Sequence, residues 1–287
     1  MKTSVFKFAL LLFMVGFLLN ACVNEITYPS VTEIPTGERH PGQFVWHDLA
    51  TSNPEAAMDF YAAVFGWEYK TLGSGDKAYY VIMLNNKPIG GIFKLAEKYG
   101  KVSEWVGSIS VKDVDEAVAY NQTKGGLTVF KAADFKGRGR TALVQDPQGA
   151  MIAFLLAEGG DPKFVEPEEN SWLWNELWTT DIEGSLKYYK DLCGYTEKSI
   201  LGSKVPYYIF EKDGNKYSGI LGNPVEGARS SWMPYIRVSD VAKTLDLAKN
   251  AGAELMMEPN AKIRNGSVAV LLDPFGAQFT IQKWPLK

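Results

Sequence analysis

Apolar residues recur along this chain with two periods. In 44–53, Val45, Leu49 and Thr51 alternate with Trp46, Asp48 and Ala50, the period of a strand with one buried face. From Asn53 the spacing changes: Ala57, Phe60, Tyr61 and Val64 recur as on one face of a helix. Asn53 is placed to cap that helix, Pro54 fits its first turn, and Gly66 ends it. Strand-like runs follow at 78–84 and 88–93, joined by Asn85-Asn86, a turn signal. A strand at 105–111, a helix capped by Asp113 and closed by Gly125, and a hairpin turn at Asp146-Pro147-Gln148-Gly149 complete the unit.

The whole pattern then repeats. Trp46 and Trp174 are offset by 128 residues, as are the pairs Tyr79-Tyr80 and Tyr207-Tyr208; Trp105 and Trp232, and Asp146-Pro147 and Asp273-Pro274, are offset by 127. Leu173, Leu177 and Thr179 repeat the opening strand, Asp181 and Asp240 the caps, Tyr188-Tyr189 the aromatic pair, and Gly194 and Gly252 the stops. A period this long marks duplicated modules rather than a solenoid. The expected class is α+β, with each module a βαβββ-βαβββ chain forming a mostly antiparallel sheet and helices on one face. The expected extents are 43–157 and 171–284, with a Gly-, Pro- and Glu-rich linker at 158–170.

The first 21 residues have another character. Lys2 and Lys7 precede or flank an apolar run from Val5 to Leu19 that ends in Leu18-Leu19-Asn20-Ala21-Cys22. The run is short for a membrane span. The segment resembles a bacterial lipoprotein signal peptide, which implies cleavage before Cys22 and a lipid on that cysteine, anchoring the protein to a membrane of the cell envelope. Val23 after the cysteine implies the outer membrane, with the protein facing the periplasm or the cell surface. Residues 22–42 read as a polar tether, with His40 solvated.

Composition narrows the function classes. Net charge is −3, or −5 once Lys2 and Lys7 are lost, so nucleic acid is not an expected partner. Cys22 leaves Cys193 as the second of two cysteines, at a position where the first module has Phe65, which suits a buried apolar role. There is no Gly-rich phosphate loop, nucleophile elbow, CxxC pair or HExxH motif.

The opening strand, the capped helix ending in Phe60-Tyr61 and Gly66-Trp67, the Asp113-Val114-Asp115-Glu116-Ala117 helix start and the Asp-Pro-x-Gly hairpins resemble the vicinal oxygen chelate superfamily. That superfamily includes glyoxalase I, bleomycin-resistance proteins and extradiol dioxygenases, and the resemblance covers 43–284 in both modules. It implies a divalent metal held by His, Gln or Glu from three strands. The matching positions here are Trp46 and Trp174, Val106 and Met233, and Ala153 and Thr280. These side chains lack the donors such ions require, so no cofactor is expected unless a displaced site exists. His47 is one residue out of register and should face away from the cup.

Neighbours two residues away share a face. The expected ligand-binding set is therefore Trp46, Asp48, Trp174, Glu176, Tyr235, Arg237, Gln278 and Thr280, in a cup between the modules. The tryptophans could fill the cup as core or stack on a flat ligand. Asp48 and Glu176 could act as an acid/base pair, or Glu176 could pair with Arg237. The loops at 136–140 and 262–267 read as solvated, with the option of gating the cup. The leading reading is a lipid-anchored, metal-independent binder of a small organic ligand. The alternatives are a glyoxalase-, lyase- or dioxygenase-type enzyme with an atypical metal site, and a structural envelope protein. The fused modules are compatible with a monomer.

Overall fold

A computed structural model describes residues 26–96, 102–200 and 205–285; Cys22 and the signal-like segment lie outside the described residues. The first module runs β1 (Phe44–Thr51), α1 (Pro54–Phe65), β2 (Glu68–Leu72), β3 (Tyr79–Leu84), β4 (Lys87–Lys94), β5 (Ser103–Ser110), α2 (Val114–Thr123), β6 (Leu127–Phe135), β7 (Gly139–Gln145) and β8 (Met151–Ala157). The second repeats it: β9 (Trp172–Thr179), α3 (Ile182–Cys193), β10 (Thr196–Ser199), β11 (Tyr207–Lys212), β12 (Asn215–Gly222), β13 (Ser231–Val238), α4 (Val241–Asn250), β14 (Glu254–Met257), β15 (Val268–Leu272) and β16 (Gln278–Lys283). The fold is thus α+β in two tandem modules. Each module builds one mixed eight-stranded sheet, ordered β2-β3-β4-β1-β5-β8-β7-β6 and β10-β11-β12-β9-β13-β16-β15-β14.

The caps form as the pattern requires. Asn53, Asp113, Asp181 and Asp240 each accept a backbone N–H three residues on, satisfying donors the first turn leaves open. The edge strands β2 and β10 escape hydrophobic patterning because their side chains are almost all half-buried or exposed.

The modules are joined through the helix-bearing faces of the sheets. Phe60, Tyr61 and Val64 of α1 pack with Val241, Leu245 and Ala248 of α4 and with Phe279 and Ile281 of β16. In the mirrored arrangement, Tyr188, Tyr189 and Cys193 of α3 pack with Val111, Val114 and Phe154. Each core is therefore shared between modules. Its polar centre is a repeated chain of bonds: Trp105 Nε1 donates to Tyr61 Oη (2.7 Å), which donates to Asp273 of the other module (3.1 Å). Trp232 Nε1 donates to Tyr189 Oη (2.9 Å), which donates to Asp146 (2.8 Å). Much of the repeated motif is thus a lock between modules. Burial raises the pKa of both aspartates, and their second oxygens take the N–H groups of their own turns.

His47 sits on this shared side. Its Nε2 pairs with Asn175, its counterpart in the repeat, at 2.8 Å, and its ring stacks on Trp172. Burial pushes its pKa down to about 4. Cys193 is buried, and its thiol is pushed up to about 12.

Residues 26–42 do not behave as a free tether. Tyr28 N–H donates to Lys136 O at 2.8 Å, Val31 packs on Val45, Leu155 and Ala157, and His40 N–H donates to the buried Asp161 at 2.6 Å. Short apolar residues inside a polar segment gave no period from which this docking could be read.

Candidate functional site: two cups with one constellation

The opposite face of each sheet is free of helices and carries a matching set of side chains. In the first module, Asp48 lies between Val106 of β5 and Gly91 of β4, and Trp46 lies beside Ser108, which neighbours Ala153. In the second, Glu176 lies between Met233 and Gly219, and Trp174 beside Tyr235, which neighbours Thr280. Cross-strand partners share a face, so the candidates from each module gather in that module's own cup. The expectation of one cup between modules is corrected: Asp48 draws its contacts from the first module and the N-terminal segment, Glu176 from the second. The cause is that the modules join through their helices, which leaves the two opposite faces apart. A separate cleft of about 510 Å³ does lie between the modules, lined by Phe44, Trp46, His47, Trp172, Trp174 and Asn175 among others, but not by Asp48 or Glu176.

A tyrosine completes each constellation. Tyr79 Oη donates to Asp48 Oδ1 at 2.6 Å, and Trp46 Nε1 donates to both at 3.1 Å. Gly91 makes this approach possible: a Cβ there would stand 2.0 Å from Tyr79 Oη and 2.6 Å from Asp48 Oδ1. Gly219 serves Tyr207 in the same way, with a Cβ 2.1 Å from its Oη. Tyr79 and Tyr207, and Gly91 and Gly219, all keep the 128-residue offset, the signal by which sequence alone could have added them.

An arginine covers each floor. Arg138 lies 3.7 Å over the Trp46 ring and Arg264 lies 5.1 Å over the Tyr235 ring. Both belong to the loops read as solvated. Each is instead folded inward, because a cation over an aromatic wall beside a buried carboxylate outweighs its hydration. The two then differ. Arg264 donates to Glu176 (2.9 Å), Gln282 (2.6 Å) and Tyr207 (3.1 Å). Glu176 also accepts from Trp178 (3.0 Å) and Tyr235 (2.6 Å), and is 4% exposed. Arg138 makes no hydrogen bond to Asp48; its Nε donates to Pro29 O at 2.8 Å and its Nη2 to Tyr79 Oη at 3.4 Å. Asp48 is half-buried, and its Oδ2 has no hydrogen-bond partner among the described residues. Burial raises the Asp48 pKa, against the opposing pull of Arg138, Tyr79 and Trp46.

The remaining expected residues are dispersed. Arg237 does not pair with Glu176; it binds Glu166 (2.8 Å) and the carbonyls of Pro167 and Trp284 at the rim. Gln278 accepts from Ser231 at 3.4 Å and borders a small pocket with Trp105 and Trp178. Thr280 is fully buried, with no partner for Oγ1 among the described residues. Trp174 is half-buried, whereas Trp46 is 2% exposed, with one ring face under Arg138.

This geometry defines a class, a tandem βαβββ protein with a cup in each sheet. Residues 42–154 and 173–281 both match the Glyoxalase/Bleomycin resistance protein/Dioxygenase superfamily, and the chain belongs to that superfamily. It is 29% identical over 243 residues to "Putative glyoxylase CFP32" of Mycobacterium tuberculosis, covering 83% of this chain and 93% of that protein. It is 26% identical over 259 residues to the anthracycline biosynthesis protein DnrV of Streptomyces peucetius, covering 84% and 93%. Among solved structures, the Mn(II)-bound glyoxalase of Novosphingobium aromaticivorans aligns with a TM-score of 0.58 at 14% identity, covering 86% and 83% of the two chains. Homoprotocatechuate 2,3-dioxygenase of Arthrobacter globiformis aligns at 0.59 and 15%, covering 89% and 83%.

A divalent metal is implied by such relatives, but the donor set here does not fit one. The strand positions facing the cups hold Trp46, Val106 and Ala153, or Trp174, Met233 and Thr280. Each cup floor has one carboxylate, and among the described residues no three His, Cys, Asp or Glu side chains gather as a metal site would need.

Proposed function

We propose that this protein binds a small organic ligand in its first cup without a resident metal. The observation that carries the reading is Asp48. A half-buried carboxylate whose Oδ2 has no hydrogen-bond partner among the described residues is free to accept a hydrogen bond from a ligand in exchange for water. Burial also holds this carboxyl toward the range in which it can take a proton from a bound donor. Glu176 has no such capacity, because its oxygens are taken by Trp178, Tyr235 and Arg264. The similarity to a protein named for anthracycline biosynthesis supports placing anthracyclines among the candidate ligands. We also propose export and lipid attachment at Cys22, supported by the pattern of residues 1–22.

The test is titration of tryptophan fluorescence with a panel of aromatic metabolites and antibiotics, beside elemental analysis of the purified protein. Saturable binding that survives chelator and weakens about tenfold in Asp48→Asn is expected, the loss of one charge-assisted hydrogen bond. Stoichiometric metal together with chelator-sensitive binding or turnover would overturn the reading.

A further inference from the structure

The first cup already holds part of its own chain. The Tyr28 ring meets Tyr79 edge-on at 5.2 Å and Phe135 at 5.2 Å. The next carbonyl, of Pro29, accepts from Arg138 Nε at 2.8 Å. Tyr28 N–H donates to Lys136 O on the same loop, and Val31 rests on Val45, Leu155 and Ala157. The segment thus offers the cup an aromatic ring, a carbonyl acceptor and an apolar foot, and the cup answers each with a specific group. Burial and the nearby Asp48 raise the Tyr28 pKa, partly offset by Arg138, which places its phenol in the field of the site's two charges.

The second cup shows what the segment replaces. Where the first module has the small Ser108 beside Trp46, the second has Tyr235 beside Trp174. Tyr235 fills its own cup from within and is 3% exposed. The first cup has serine at that position, and the ring it receives comes from the N-terminal segment: Tyr28, half-buried against Tyr79 and Phe135. Strap residues Ser30, Val31 and Thr32 also wall the 510 Å³ cleft that reaches Trp46, so a molecule in the cleft lies against the strap.

We propose that residues 28–31 are an intramolecular stand-in for the ligand, so that the first cup takes an aryl carbonyl compound, whose ring displaces Tyr28 against Tyr79 and whose carbonyl oxygen replaces that of Pro29 on Arg138. This deepens the first-cup reading and rests on it. A tethered segment competes at an effective concentration on the order of millimolar, so the intact protein binds weakly and tightens when the strap is weakened. Binding then frees the segment that leads back to Cys22.

The probe is the blocked dipeptide N-acetyl-tyrosyl-proline amide, with N-acetyl-alanyl-proline amide as control, titrated calorimetrically into the full chain. Tyr28→Ala is expected to bind the tyrosyl probe with one-to-one stoichiometry at least tenfold more tightly than the unaltered protein, and the alanyl control not at all. Adding Arg138→Lys, which removes the Nε donor but keeps the charge, is expected to reverse most of that gain. In the unaltered protein, saturating probe should speed hydrogen exchange at the Tyr28 amide, a readout that does not depend on how any variant folds. Equal affinity in the two proteins, indifference to Arg138→Lys, or unchanged exchange would each overturn the proposal. If the dipeptide fails while another aromatic compound binds in an Asp48-dependent way, the stand-in falls and the first-cup reading stands. If nothing binds, both fall.

Discussion

The two cups share a tryptophan, a carboxylate, a tyrosine, a facing glycine and an inward arginine, yet they differ in what is left over. In the second cup Glu176 receives three donors, one of them Arg264, which binds the carboxylate directly. In the first, Arg138 turns to Pro29 O, and one oxygen of Asp48 stays unpaired among the described residues. The second cup has more polar side chains and less chemistry to offer. Capacity to accept a further hydrogen bond depends on unsatisfied valences within reach of solvent, not on the number of polar groups.

The largest expected effect sets the cups against each other. Glu176→Ala leaves Arg264 without its carboxylate in a mostly buried site, and should cost about 3–5 kcal/mol in urea unfolding. Asp48→Ala removes two accepted hydrogen bonds but no direct ion pair, and should cost about 1–2 kcal/mol. Equal losses would show that the difference in saturation has no energetic meaning.

A pH effect of about 3 kcal/mol belongs to the seam between the modules. His47 has its folded pKa depressed to about 4, so its contribution is fully present above the unfolded value of roughly 6.5 and is lost as pH falls from there toward 4. Denaturation midpoints measured across that window should fall with pH, and His47→Gln should flatten the slope. An unchanged slope in the variant would mean that the seam does not hold a neutral imidazole.

Smaller again are the paired locks. Tyr61→Phe and Tyr189→Phe each leave a tryptophan N–H and a buried aspartate short of one partner, and each should cost about 1–3 kcal/mol. Similar values would show that the duplication extends to energetics, and a large disparity would break it. Lys87→Ala, at an exposed pair with Glu168, should leave the thermal melt unshifted, because solvent screens such pairs.

Much of this architecture was legible in the sequence. The caps, the Gly stops, the two-fold repeat and the alternation of the opening strands from Trp46 and Trp174 onward rest on local physics, and the structure reproduces them. A register shift at the start of each opening strand instead packs Val45 with Leu155 and Leu173 with Tyr235, away from Leu49 and Leu177. Even the side taken by His47 follows from alternation. Less legible was the site. Tyr79 and Gly91 left a trace as repeated positions, but Arg138 and Arg264 looked like solvated loop residues, and Arg237 looked like the partner Glu176 needed. Tyr28 left no trace, because a single aromatic in a polar segment has no period.

The sequence by itself determined the elements, their duplication and, from Trp46 and Trp174 onward, which residues of the opening strands point to which side, since propensity, capping and alternation act over a few residues. Only the tertiary structure decided that the modules join through their helices, that two cups rather than one result, which arginine meets which carboxylate, and that the N-terminal segment lies in the first cup. Those outcomes depend on contacts between residues a hundred or more positions apart, such as Arg138 with Pro29 and Tyr61 with Asp273. Their energies are set by burial and by competition among partners, and neither exists until the chain has closed on itself.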